Sequence, residues 1–274
     1  MLRNLLKKPQ ALIGLALIAA VLLAALLAPA LAPHDPELMD LAKKYLPVCA
    51  DYPLGTDQLG RCELSRLLYG ARYSLSISLP ILCILALTGL ALGTLSACAG
   101  EKLDRVLTMV CDIFISFPSL IIAVAVIGVL GNGLQNIAVA VVVAMWAWFT
   151  RAVRSYALVE MGKDYMLAAR ISGCGTAKLI ARHLIPNILP QFFVYLSTGV
   201  ASSILMVSSF AFLGLGLPAG VAEWGAMLSD ARAGLYGHPE FLIYPGLCIL
   251  ITAAGFNLFG ETLRDLLLPE EEEL

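Results

Sequence analysis

Side chains able to ligate a metal, activate water or attack a substrate are sparse in this sequence, and none recurs at a useful spacing. The three histidines, His34, His183 and His238, lie far apart and lack the short separations of metal-ligand pairs. No His-Glu-x-x-His, no Gly-x-Ser-x-Gly elbow and no Gly-x-x-x-x-Gly-Lys-Ser/Thr phosphate loop occurs. The chain therefore offers no catalytic residue, no metal site and no ATP site of its own. Two polar groups, Asp112 and Asn257, fall within or beside apolar stretches, where contact with lipid is costly, so both are expected to face protein or a cavity. For Asp112 a structural pairing with Arg105 or Arg151 is favoured over contact with a ligand. Pro118 is expected to kink the helix that holds it. That kink either serves the function of the chain or is a tolerated structural bend.

One segment does carry a pattern. Asp164 to Asn187 reads DYMLAARISGCGTAKLIARHLIPN. Helix formers run from Met161 to Ile171, Gly173 and Gly175 break the run, and a second helical stretch is expected over Thr176 to Leu184. Pro186 and Pro190 are expected in the first turn of the next long helix, where a missing N–H is tolerated. The small residues Ala168, Ala169, Ser172 and Gly173 would let another protein approach the backbone closely. The Arg and Lys side chains here would equally suit an interfacial helix lying on anionic lipid. On composition alone both readings stand.

The elements that must position this segment are membrane helices. Of the 274 residues, 59% are hydrophobic and 14% charged, against about 25% charged in soluble domains. The 18 basic and 20 acidic residues nearly cancel, which excludes a nucleic-acid binder driven by phosphate attraction. A helix needs about 20 apolar residues to cross the hydrocarbon layer. Six blocks meet or approach that length: Ala11–Ala32, Ser74–Ala99, Val106–Leu130, Leu134–Thr150, Ile188–Leu213 and Phe241–Gly260. The first is too long for the apolar part of a secretory signal and is expected to be retained. Gly89 and Gly93 form a GxxxG suited to close helix packing in lipid, or a chance pair in a Gly-rich span. Trp146 and Trp148 suit an interfacial belt, and Glu270–Glu273 a solvated tail.

Lys and Arg placement sets the expected orientation. With the N-terminus inside, Arg3, Lys7, Lys8, Lys102, Arg105, Arg151, Arg154, Lys163, Arg170, Lys178, Arg182 and Arg264 are cytoplasmic. Outside remain Arg232 and five residues of one long loop: Lys43, Lys44, Arg61, Arg66 and Arg72. Three segments are longer than turns: an external loop at 33–73, a basic cytoplasmic loop at 151–187 and an external loop at 214–240. The last is expected to hold a short helix, since Trp224, Met227, Leu228, Ala231 and Leu235 recur at helical spacing. Of the seven cysteines only Cys49 and Cys62 share the 33–73 loop. A bridge between them would close a loop of about 14 residues and contribute up to about 3 kcal/mol. The other reading is two unpaired thiols packed as small apolar groups.

The 164–187 segment resembles the coupling loop of ABC-importer permeases, in which Glu-Ala-Ala is followed at fixed spacing by Gly and Pro. Ala168, Ala169, Gly173 and Pro186 fall on those positions, and Leu167 stands where the family has Glu. Leu54-Gly55-Thr56-Asp57-Gln58-Leu59-Gly60-Arg61 resembles the LGTDxLGRD signature of the dipeptide/oligopeptide/nickel permeases, C-type subunit, with Cys62 in place of the final Asp. Phe117-Pro118, Trp146-Ala147-Trp148, Arg151–Ser155, Phe212–Gly216 and Glu223–Met227 extend the likeness over nearly the whole chain, with wording closest to the nickel branch.

The resemblance implies an all-α polytopic membrane protein with six transmembrane helices, the type I ABC-importer permease fold, in a single permease domain spanning 1–274. It implies a non-enzymatic subunit forming half of a translocation pore for nickel or a metal-chelate complex, with dipeptide or oligopeptide import as the alternative. Coupling to ATP hydrolysis would fall to Leu167, Ala168, Ala169, Gly173 and Pro186, and pore or gating roles to Asp112, Pro118 and Asn257. The implied partners are a second homologous permease, one or two P-loop ATPase subunits, an external solute-binding protein and membrane lipid, but no nucleic acid. ATP and Mg would sit on the partner subunits, with no cofactor on this chain. The implied location is the bacterial inner membrane, multi-pass, with both termini cytoplasmic. A secondary transporter is the distant alternative. It would need ion-coupling residues deep in the spans, where almost none occur. An intramembrane enzyme would need a reactive cluster at one depth, and none is present.

Overall fold

The computed structural model describes residues 8–215, 218 and 220–267. Arg3, Lys7, Gly216 and the acidic run Glu270–Glu273 lie outside the described residues. Among the described residues there is no β-strand, only an isolated bridge between Thr56 and Cys62. The helices are α1 Pro9–Leu31, α2 Glu63–Cys98, α3 Glu101–Ile115, α4 Ser119–Leu130, α5 Leu134–Met161, α6 Asp164–Ile171, α7 Thr176–Phe212, α8 Trp224–Ala231 and α9 Glu240–Leu267.

Several helices outrun the apolar blocks that predict them, three of them into expected loops. α2 begins at Glu63, inside the expected 33–73 loop, and its 36 residues reach about 54 Å, well beyond the roughly 30 Å of hydrocarbon. α5 continues past Thr150 to Met161, so the first third of the expected 151–187 loop is helix. α7 is continuous from Thr176, because a π turn at Ile180–Leu184 takes the place of the expected gap before the fifth span. There the Ile185 N–H donates to the Ile180 carbonyl. Pro186 follows at once, and the widened turn accommodates a ring with no N–H to give Arg182.

The third block is not one straight span. It divides into α3 and α4, bent by 87° across Ser116-Phe117-Pro118. Pro118 lacks an N–H and pushes Phe117 away from helical geometry, so the kink expected there becomes a corner. α4, with 12 residues, covers only about 18 Å and cannot cross alone. Five helices are long and apolar enough to cross singly, and the bent pair supplies a sixth crossing if taken as one broken span. An ion pair supports that count. Lys8 Nζ at the start of α1 lies 2.8 Å from Asp265 Oδ2 near the end of α9. The two ends of the bundle therefore lie together, which requires an even number of crossings.

α2 is the central post, packed most extensively against α5. Gly89 and Gly93 make that contact. A Cβ on Gly89 would stand 2.9 Å from Phe149 Cβ, and one on Gly93 2.7 Å from the Thr150 carbonyl oxygen. The GxxxG is thus a packing device, and the core around it holds Leu85, Ala144, Phe149 and Val153, all buried.

Candidate functional site

The segment after α5 is held from within and open outward. Gly162 and Lys163 turn the chain, and the Glu160 carboxylate fastens the turn: Oε2 is 2.8 Å from Lys163 Nζ, while Oε1 accepts from the Tyr165 hydroxyl. Burial, and then the Glu160 carboxylate beside it, push the Tyr165 phenol up to about 12. Asp164 in the first turn of α6 and Arg170 in the last complement the helix dipole. Met166 is fully buried, in one core with Leu179 and Leu184 of α7. The opposite face is bare: Leu167 is 58% exposed and Ile171 79%, with Ala168 exposed between them. Ala169 is half-buried.

Gly173 ends α6. Its φ is +80°, and no atom lies within 4 Å of the position a Cβ would take. The Gly173 N–H donates to the Arg170 carbonyl and the Cys174 N–H to the Ala169 carbonyl, so this glycine is a left-handed helix stop. Backbone conformation, and not crowding inside this chain, is what selects it. Leu167, Ala168, Ala169 and Gly173 thus share one surface element. Pro186 lies beyond the π turn, exposed on α7.

At the other end of the molecule the Leu54–Arg61 motif is a staple. Thr56 Oγ1 accepts from the Leu46 N–H at 2.8 Å and donates to the Lys43 carbonyl. Asp57 accepts from the Leu59 and Arg61 N–H groups and, at 2.6 Å, from Arg61 Nε. The buried Arg61 and Arg66 both reach Asp230 of α8, at 2.7 and 3.4 Å. Gly60, at φ +74°, presses so closely on Asp40 that a Cβ would overlap its carbonyl. The Glu223–Met227 motif locks α8 to two long helices. Glu223 Oε1 accepts from Ser74 of α2 and Ser208 of α7, both at 2.9 Å, and Oε2 accepts from the Ala226 N–H. Burial holds the Glu223 carboxyl above the usual carboxylate range, against the pull of these donors. Trp224 Nε1 donates to the Leu67 carbonyl, and a Cβ on Gly225 would stand 2.1 Å from the Ser208 carbonyl oxygen. These motifs are architectural: they fix the loops at this end onto the bundle.

The remaining candidates are dispersed. Asp112 pairs with Arg151 at 2.7 Å, both about half exposed, while Arg105 pairs with Glu101 instead. Pro118 stands at the α3–α4 corner, and Asn257 is exposed on α9. Cys49 and Cys62 are free thiols in this structure. Cys49 is at the surface, whereas Cys62 is buried at the head of α2 in its bridge with Thr56. Sequence reasoning missed Asp230 and the pair between Asp104 of α3 and Arg154 of α5, 2.5 Å apart and joined by Ser96. The only hint was charge falling within helical stretches. Among the described residues no three His, Cys, Asp or Glu side chains gather as a metal site.

Comparison with known proteins agrees with this architecture. The family described as binding-protein-dependent transport system inner membrane component matches residues 89–271. The N-terminal TM domain of oligopeptide transport permease C matches residues 1–47. The nickel transport system permease protein NikC of Escherichia coli (strain K12) is 36% identical over 259 residues, covering 94% of this chain and 92% of that protein. The probable D,D-dipeptide transport system permease protein DdpC of the same organism is 36% identical, covering 96% and 88%. The metal-staphylopine import system permease protein CntC of Staphylococcus aureus (strain Mu50) is 35% identical, covering 96% and 91%. With these matches running along an all-helical membrane bundle, the chain belongs to the family of binding-protein-dependent transport system inner membrane components, the permeases of ABC importers.

Proposed function

We propose that this chain forms half of the translocation pore of an ATP-driven importer for nickel or a metal-chelate complex. The observation that carries the reading is α6. It is anchored inward by Met166 and Glu160, it presents Leu167 and Ile171 outward, and it connects directly to two long membrane helices, α5 and α7. A force applied to that face would reach α5 through the two-residue turn at Gly162 and Lys163 and α7 through the short connector 172–175. The partners on this reading are a second related permease, one or two P-loop ATPases carrying ATP and Mg, and an external binding protein that delivers cargo. The chain performs no covalent chemistry and binds no cofactor itself.

In this scheme both termini and α6 are cytoplasmic, and the stapled loops at Asp57 and Glu223 are external. Closure of the ATPases moves α6, and the bundle rocks between outward and inward access. Leu167, in place of the family's Glu, contributes an apolar contact to the ATPase. Pro118 shapes the corner that the α3–α4 pair carries through the motion, and the Asp112–Arg151 pair ties that corner to α5. Asn257 stays a polar candidate on α9. Metal cargo is supported by the likeness to NikC and CntC, and the similar likeness to a D,D-dipeptide permease supports peptide import as the second reading. Co-purification from the native membrane tests the assembly. A P-loop ATPase and ATP-dependent uptake are expected together, and gradient-driven uptake by this chain alone would overturn the proposal.

A further inference from the structure

Two ion pairs fix how α3 lies. Asp104 pairs with Arg154 at 2.5 Å and Asp112 with Arg151 at 2.7 Å. Along α3 the two acids are about 12 Å apart, whereas along α5 their partners are only about 4.5 Å apart. Both ends of α3 therefore meet nearly one level of α5, and α3 lies across that helix. α4 lies along it instead. Ser119 at its start shares a cavity with Trp148 and Phe149 of α5, and Val129 and Leu130 near its end share a groove with Val139. A turn at 131–133 then joins it to Leu134, the first residue of α5. The 87° bend between α3 and α4 is the corner that these two placements require.

The level at which α3 crosses is set by its neighbours. The apolar block of α5 ends at Thr150, next to Arg151, and that of α2 ends at Ala99, just before α3 begins at Glu101. Ser96, near that end of α2, donates to Asp104 at 2.6 Å. α3 thus sits where two neighbouring apolar blocks run out. α4, with the turns at its two ends, already runs the length of the α5 block, the shortest of the six. No apolar length is left there for α3 to span. Its surface is divided to match. Leu103, Val106, Met109, Ile113 and the adjoining Phe117 are 38–57% exposed and recur at helical spacing as one apolar stripe. Glu101, Arg105, Asp112 and Ser116 form an exposed polar edge beside it, with Arg105 and Glu101 paired at 2.5 Å. Cys111 turns inward and is buried. A helix apolar along one face and charged along the next suits neither hydrocarbon nor water alone, but the boundary between them.

We infer that α3 is an interfacial helix, lying in the plane of the membrane on the side of the bundle that carries α6, with phospholipid as the partner of its exposed face. The apolar stripe rests among the upper acyl chains, and the charged edge lies among the headgroups. Lys102, exposed between the stripe and the edge, has the reach to set its methylenes in the apolar layer and its ammonium on a lipid phosphate. Through Arg151 and Arg154, α3 ties the α6 end of α5 to the lipid surface. The inference goes beyond the permease reading and stands independently of the cargo.

Spin labels at single cysteines measure this depth directly. The full chain, its native cysteines replaced, carries Val106→Cys, Ile113→Cys, Arg105→Cys or Ser116→Cys, all at exposed positions that leave the core intact. It is placed, with the partners that co-purify, in vesicles of phosphatidylcholine and phosphatidylglycerol. Collisions of each label with oxygen, which concentrates among lipid chains, and with water-soluble chromium oxalate are compared. Leu87→Cys, exposed within the apolar block of α2, calibrates the lipid end of the scale. The two stripe positions should give an oxygen-to-chromium ratio at least about threefold above the two edge positions, as the faces of an interfacial helix do. Val106 and Ile113 should also lie at the same depth to within about 3 Å, because the helix between them runs along the surface. A helix that continued the crossing would set Ile113 about 10 Å deeper than Val106, and that result would overturn the inference. Exclusion of both reagents from the stripe would overturn it too, since protein would then cover the face. A stripe that favours chromium oxalate would do the same, since water would then cover it.

Discussion

Replacing Gly173 separates backbone strain from crowding at the coupling surface. This residue closes α6 with φ at +80°, and a Cβ there would meet nothing of this chain within 4 Å. An L-residue in that conformation costs about 1–2 kcal/mol, with Asn the mildest and β-branched residues the worst. That energy corresponds to a factor of about 5–30 in the population of the native α6 ending. The global fold should scarcely respond, because Met166 and the core beneath α6 are untouched. Uptake per ATP hydrolysed, measured in vesicles holding the assembled transporter, should fall in the order Gly, Asn, Ala, Val. The Val variant should lie about 5–30-fold below the native chain. A bulky Trp should be worse again if the ATPase approaches this backbone closely. Equal coupling by Gly173→Val and the native chain would refute the reasoning, and so would an Asn variant worse than Val.

Other perturbations follow from the same geometry. Arg61→Met leaves Asp57 buried without its closest cation, so the chain in detergent should lose about 3–5 kcal/mol of stability, read by thermal unfolding. Asp112→Asn should cost less than about 1 kcal/mol, because its partner Arg151 is half exposed. Burial raises the Glu223 carboxyl above its ordinary value of 4.5, so the folded chain holds this proton more tightly than the unfolded one. The stability linked to it is present below that ordinary value and lost as pH rises through the raised one. Glu223→Gln should remove this slope from a pH series of melting temperatures, and an unchanged slope would exclude Glu223 as its source.

The crossings were legible because burial in lipid writes long apolar blocks into the sequence, and six were read. The bend between α3 and α4 was not, since Val106–Leu130 reads as one apolar block with a proline in it. Whether such a proline kinks or turns a corner depends on what packs around it. Helix ends were also hidden. Glu63 to Tyr73 carries Glu63, Arg66 and Arg72 and reads as loop, yet tertiary pairing with Asp230 and packing on Trp224 make it helix. Leu54–Arg61 stood out as a motif, but its partner across 169 residues left no local mark. Gly173 was singled out for close approach, whereas its positive φ is the stronger reason and cannot be read from residue spacing.

The central claim, that this chain moves solute only when an ATPase drives it through α6, is tested most directly by reconstitution. Proteoliposomes holding this chain, its partner permease and their ATPases, with the binding protein outside, are assayed for uptake with and without internal ATP. The account predicts uptake only with ATP, lost when the ATPases are omitted or when Gly173→Trp replaces the native chain. Uptake that persists without ATPase under a proton or sodium gradient would contradict it.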